Sequence, residues 1–307
     1  MKGRPRSCEA ARSCVWRTSG GRSVGVVLDG LVLGLQLALL SVGVVFVYGL
    51  GGVLNLAHGQ VAVAGGLVAA LLLQAKVNPV LSGLGGVLAA GLVALLLDRT
   101  LLQPAYRRRG EERLLLALIL TLGTSFALDG FFTFRYPNVA LSLRLPAPSV
   151  EVAGITVRTA SLAVGALSLV TFGLLLVFLK GTRLGKAIRC IIQNEAGAWL
   201  CGVDVDRART VTLFLSGVLA GVAALGQGFF SYLGPDMGPE FTILALIVAV
   251  VGGVRSLTGT FLASLLLGMV NAALSYWVGT YLTWIALLAV AVATLLVRPE
   301  GLLAYWP

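Results

Sequence analysis

Charge is scarce in this chain. Only 12% of its 307 residues are Asp, Glu, Lys or Arg, whereas 58% are hydrophobic; soluble domains sit near a quarter and a half. So few charges cannot clothe a water-exposed surface, and a soluble fold is excluded. Histidine occurs once, as His58. One imidazole cannot build a metal site, and no serine–histidine–carboxylate set accompanies it, so no catalytic or metal centre is expected. The four cysteines are Cys8 and Cys14 in a basic N-terminal stretch and Cys190 and Cys201 in a polar loop, without a close ligand pair. Neither a disulfide nor a metal site is expected from them. Carboxylates are missing where an ion-coupled carrier places them: Asp29, Asp98 and Asp129 fall toward the ends of apolar runs, not their centres. A phosphate loop is missing too. Gly181–Ala187 has the wrong spacing, with Ala187 where a magnesium-holding hydroxyl belongs.

What is present is oil. Mean hydropathy is +0.95, and apolar runs fall at 24–50, 54–74, 80–102, 114–134, 159–179, 210–233, 241–254, 260–278 and 281–297. Most reach the roughly twenty residues a bilayer core demands, and they are continuous rather than alternating. The expected fold is an all-α polytopic membrane protein of about nine transmembrane helices (eight to ten). The seventh run is short for an upright crossing and is expected to be broken, tilted or re-entrant. Residues 1–23 read as a basic, disordered tail, 24–303 as the membrane domain and 304–307 as a C-terminal tail. The net charge of +10 sits in loops, as the positive-inside bias predicts. No aromatic platform interleaves with it, which argues against nucleic acid as a partner.

The longest polar insert is 180–209. Leu184, Ile188, Ile191 and Ala198 recur at helical steps with Arg183, Lys186 and Arg189 beside them, the pattern of one or two amphipathic helices at a membrane surface. Such an insert either docks a soluble partner or is a solvated loop that fixes topology. The basic stretch 106–113 and the insert are two runs apart, so both are expected inside. The 135–158 connection is then outside, with a hairpin about Ala153-Gly154. This count leaves the six Lys and Arg residues of 1–23 outside, against the bias. An internal echo relates GGVLNLAHGQ from Gly51 to GGVRSLTGTF from Gly252. Paired broken elements point to a transport path, and chance likeness among small-residue spans competes with that reading. Asn55 is an N-cap or a pore-lining residue. His58 either relays protons or satisfies backbone groups freed by a helix break.

Several blocks in order carry a family resemblance: NLAHGQ at 55–60, TLGTS at 121–125, GKAIR at 185–189 followed by EAGA at 195–198 and Gly202, PDMG at 235–238, Gly252-Gly253 with Ser256 and Gly259, and RPEGL at 298–302. The chain resembles the permease subunits of bacterial branched-chain amino acid ABC importers, in particular the first of the two permease paralogues. Leu56 replaces the usual Phe, and Val254-Arg255 stands where a Gly or Leu with a neighbouring Gly is common. The resemblance implies the importer permease fold in a bacterial or archaeal cytoplasmic membrane. It also implies a second permease, two cytoplasmic ATPases that bind the ATP, and an extracytoplasmic solute-binding protein, with no cofactor on this chain. It implies that Gly185, Lys186, Arg189, Glu195, Ala196, Gly197, Ala198 and Gly202 serve coupling to the ATPase. It places Asn55, His58, Gly59, Gly252 and Gly253 beside the translocation path. A urea or short-amide permease of the same fold is the alternative; an autonomous carrier or a membrane scaffold is a further one.

Overall fold

The computed structural model describes residues 7–108, 110–137, 142, 150–152, 155–157, 159–230, 232–298 and 301. Twelve helices and one short hairpin make up the described chain. In order they are α1 Ser7–Gly51, α2 His58–Gln74, α3 Pro79–Leu97, a π-helical turn Asp98–Leu102, α4 Gln103–Tyr106, α5 Glu111–Arg135, β1 Val150–Val152, β2 Ile155–Val157, α6 Thr159–Gly181, α7 Arg183–Gln193, α8 Glu195–Leu200, α9 Val205–Phe230, α10 Gly238–Gly252, α11 Leu257–Trp277 and α12 Thr280–Val297.

Among the described residues seven helices are long and apolar enough to cross a membrane; α2 and α10 are apolar but shorter, at 17 and 15 residues. The expected shortness of the seventh run is therefore met, with its helix starting at Gly238 rather than 241. The second run is a correction. Its helix begins at His58, not 54, because the Asn55 side chain accepts the Ala57 N–H at 3.0 Å and closes a turn that a helix cannot contain. As described, α1 starts at Ser7, inside the stretch read from the sequence as a tail. No proline follows Pro5 in that stretch to stop a helix. Residues 304–307 lie outside the described residues. The hairpin pairs Val150 with Val157 and Val152 with Ile155, antiparallel; its turn at 153–154 also lies outside them.

The centre of the bundle is α1, whose 25–51 stretch is mostly buried and packs chiefly on α11 and α9. Small residues make the approach close: a Cβ at Gly34 would stand 2.9 Å from the Leu265 Cα, and one at Gly268 would strike the Gly34 backbone. The outer helices carry apolar side chains into the surroundings. Val80, Leu81, Leu84, Leu88, Leu92 and Leu96 form an exposed stripe along α3, the face a lipid tail covers. The C-terminal end of α1, the N-terminal end of α9, and α7 and α8 share one end of the bundle, called here the handle end.

Candidate functional site

The insert folds as two helices, each begun by a side-chain cap. Thr182 Oγ1 accepts the Gly185 N–H at 2.9 Å, and Asn194 Oδ1 accepts the Gly197 N–H at 3.0 Å. Along α7, Gly185, Ile188 and Ile191 are buried while Lys186 and Arg189 are exposed. Gly185 sits so close to α6 that a Cβ there would stand 2.6 Å from the Leu179 Cα. α8 ends in a left-handed glycine, Gly202 at φ +78°. Gly202 N–H donates to Trp199 O and Val203 N–H to Ala198 O, both at 3.0 Å, a Schellman arrangement that turns the chain back toward α9. Ala198 is buried at the base. Trp199 and Leu200 project outward, 71% and 81% exposed.

Glu195, at the start of α8, is held from behind. Arg209 Nη2 of α9 reaches Glu195 Oε1 at 2.5 Å, and Arg113 Nη1 of α5 stands 3.8 Å from the other oxygen. Arg209 is itself nearly fully buried. Its Nε donates to the Leu50 carbonyl at the end of α1 at 3.3 Å, and its Nη1 reaches Asp206 at 3.5 Å. The Tyr106 ring meets both guanidiniums, its centroid 4.4 Å from Arg209 Cζ and 4.9 Å from Arg113 Cζ. One carboxylate on the insert is thereby tied to α1, α4, α5 and α9. Near it, Thr210 donates to Asp98 Oδ2 at 2.7 Å. Sequence reasoning named Glu195 but missed Tyr106, Arg113 and Arg209. The two arginines read there as topology charges, and nothing in their spacing reveals a shared partner.

The residues assigned to the path fall in two places. His58 heads α2 between α1 and α9. Its Nε2 lies 3.1 Å from Leu40 O and its Nδ1 3.4 Å from Ser216 Oγ. A carbonyl only accepts, so Nε2 carries the proton. The ring ties helices together rather than facing open space, and it is buried, as is Asn55. Gly59 donates its N–H to Thr242 Oγ1 at 2.9 Å, and a Cβ there would strike the Gly238 carbonyl. The starts of α2 and α10 thus abut inside the bundle. Gly252 and Gly253 lie at the other end of α10, about 21 Å away at helical rise. There Gly252 packs against Thr260 of α11, and Gly253 adopts φ +96°. The internal echo is seen as a shared backbone device, since Gly52 after α1 is also left-handed at φ +62°. Among the described residues no group of three or more His, Cys, Asp or Glu stands ready to hold a metal ion.

A family model described as the branched-chain amino acid transport system permease component matches residues 26–297. The high-affinity branched-chain amino acid transport permease LivH of Salmonella typhimurium is 27% identical over 90% of this chain and 94% of its own length. The corresponding BraD permease of Pseudomonas aeruginosa is 29% identical over the same shares. Among solved structures, a chain of PsaBC from Streptococcus pneumoniae in complex with Fab aligns with a TM-score of 0.53 and 12% identity, covering 95% of this chain and 98% of that one. That last likeness concerns the fold alone.

Proposed function

The chain belongs to the family of branched-chain amino acid transport permease components, a multi-pass transport subunit of the cytoplasmic membrane, and on that premise we propose that it imports leucine, isoleucine and valine in an ATP-driven complex. Its partners in this reading are a second permease, two cytoplasmic ATPases docked on the 180–209 insert and an extracytoplasmic solute-binding protein.

The observation that carries the mechanism is the tie from Glu195 through Arg209 to the Leu50 carbonyl. Trp199 and Leu200 form an apolar knob on α8, suited to an ATPase cleft. Motion of the ATPases displaces that knob, and a buried, multiply bonded arginine passes the displacement to α1 and α9 rather than letting the loop flex. The two populations of the permease, open to one side or the other, are then biased by the nucleotide state of the partners. Basic loops at the handle end support its facing the cytoplasm. The binding protein supplies most of the discrimination among solutes.

The test is ATP-dependent uptake by the reconstituted complex in proteoliposomes, with L-leucine and urea as competing probes. Leucine uptake that requires ATP, the ATPases and the binding protein is the expected result. Uphill uptake by this chain alone, or urea uptake without leucine uptake, overturns the proposal.

A further inference from the structure

The charges at the handle end are unevenly shared. Glu195 serves two guanidiniums: Arg209 Nη2 holds one of its oxygens, and Arg113 Nη1 stands 3.8 Å from the other without closing on it. Arg113 Nε and Nη2 are buried and have no hydrogen-bond partner among the described residues. A second carboxylate in the cluster is also short of partners. Asp98, fully buried, opens the π-helical turn between α3 and α4. Its Oδ2 accepts from Thr210 Oγ1 at 2.7 Å, while its Oδ1 is buried and bare among the described residues. Gln103 stands near this carboxylate without completing a bond to that oxygen.

Burying a polar atom without a partner is unfavourable, and more so when its group is charged. Here bare donors and a bare acceptor, opposite in charge, gather around one ring. Tyr106 stacks against both guanidiniums and lies within electrostatic reach of Asp98 and Glu195 as well. Arg209 is followed directly by Thr210, which already holds Asp98, and its charge acts on that carboxylate. One change of partners would satisfy both orphans: Arg209 to Asp98, and Glu195 to Arg113. A ring face suits such a change, since it stabilises a guanidinium without fixing which acceptor its fork meets.

We propose that this clamp has two settings, and that Asp98 and Arg113 are the positioning residues of the second. In the setting seen here Glu195 pairs with Arg209, which ties α8 to α9 and, through the Leu50 carbonyl, to α1. In the other, Arg209 turns to Asp98 Oδ1 and binds α9 to the π-helical turn. Glu195 then passes to Arg113, and α8 moves against the start of α5. The handle is tied in both settings, to different helices in each. The first setting keeps the contacts of Arg209 with Leu50 O and Asp206; the second fills the bare atoms of Asp98 and Arg113. Each thus has what the other gives up, and a modest push selects between them. That partner ATPases supply the push rests on the import reading; the exchange itself rests on the charges.

The experiment is a dipolar distance measurement between spin labels on Cys201, exposed at the end of α8, and on Glu111→Cys at the start of α5, with Cys8, Cys14 and Cys190 changed to serine. In the permease alone, Arg209→Gln is expected to bring the labels closer, because Glu195 is left to Arg113. Adding Arg113→Gln should restore the wild-type distance. In the reconstituted complex trapped with ATP and orthovanadate, wild type is expected to show the shorter distance, and Asp98→Asn or Arg113→Gln to keep the longer one. Asp98→Asn, whose amide oxygen still accepts from Thr210, should melt no lower than wild type, since a bare buried charge is gone. It should nevertheless lower ATP-driven uptake by about tenfold or more, the factor for one ordinary hydrogen bond. A distance unmoved by Arg209→Gln, or one that shortens equally with Arg113 also replaced, overturns the exchange. So does an Asp98→Asn permease that melts lower, the mark of a carboxylate that only braces the fold. Shortening in the permease alone, without ATP-driven uptake by the wild-type complex, sinks the import reading and leaves the exchange standing. Uptake at the wild-type level with both Asp98→Asn and Arg113→Gln sinks the exchange alone.

Discussion

A methyl group added at Gly59 has nowhere to go, because the Gly238 carbonyl already occupies that space and Thr242 Oγ1 caps the Gly59 N–H. Neither neighbour is a flexible tip: one is backbone, the other a side chain that also donates to Leu56 O or Gly238 O. Gly59→Ala is therefore expected to destabilise the protein by about 1–3 kcal/mol, the range for forcing extra carbon into a packed interior. Gly123, in the middle of α5, has nothing within 4 Å of an added Cβ, and Gly123→Ala should stabilise slightly through helix propensity, by roughly 0.5–1 kcal/mol. Melting of the two variants in one detergent checks both signs. Equal effects would mean that the contact between the starts of α2 and α10 is not tight. At the same scale His58 is explained by its neighbours: its ring lies against Gly43 of α1, with Cε1 2.8 Å from where a Gly43 Cβ would stand, and Ser216 of α9 completes the pocket. A sole histidine in an apolar chain invites a proton-relay reading, and here its polar atoms serve to join three helices.

At the scale of elements, legibility followed periodicity. Leu184, Ile188 and Ile191 gave α7 its inner face by spacing alone, and α7 lies on α6 with Ile188 and Ile191 buried. The alternation about 153–154 likewise gave the β1–β2 pairing. Hydropathy failed where apolar sequence is not helical. Leu54 to Ala57 looks like the start of a span but is a turn built by Asn55, with Asn55 and Ala57 buried, and burial leaves the same mark on turn and span. The clamp was illegible for another reason. Tyr106, Arg113, Glu195 and Arg209 come from four segments, and only the tertiary fold places them within reach. The Schellman turn is the element on which the knob depends. Gly202→Ala puts a Cβ into the left-handed region at about 1–2 kcal/mol, which should fray α8 and misdirect Trp199 without touching the membrane helices. Reduced co-purification of the ATPases with unchanged melting is the expected outcome; unchanged association would show that α8 need not hold this shape.

Across the whole molecule, the same two helices carry both features of interest. α1 bears Leu33 and Leu37 at the cavity between α1, α9, α10, α11 and α12 and Leu50 beside Arg209, and α9 bears Ala223 and Ala224 at that cavity and Arg209 at the clamp. Helices move as rigid bodies over such lengths, so a shift imposed at Arg209 need not be relayed by a chain of side chains. Under the proposed function, docking falls to Trp199 and transmission to Arg209, and the two should fail differently. Trp199→Asp removes an exposed apolar knob, so the ATPases should no longer bind and hydrolysis by the complex should lose its dependence on the permease. Arg209→Gln leaves the knob in place but breaks the tie to Glu195, the bond to Leu50 O and the stacking on Tyr106. Association and ATP hydrolysis should then persist while uptake falls by about tenfold or more, the equivalent of one or two charge-assisted hydrogen bonds. Arg209→Lys should recover little, because a lysine cannot serve a carboxylate, a carbonyl and a ring face with one fork. Measuring ATPase binding, hydrolysis and leucine uptake on the three variants decides the point. If Arg209→Gln lost association as completely as Trp199→Asp, the clamp would merely shape the docking surface, and the transmission of force would have to run through other contacts of α7 with the bundle.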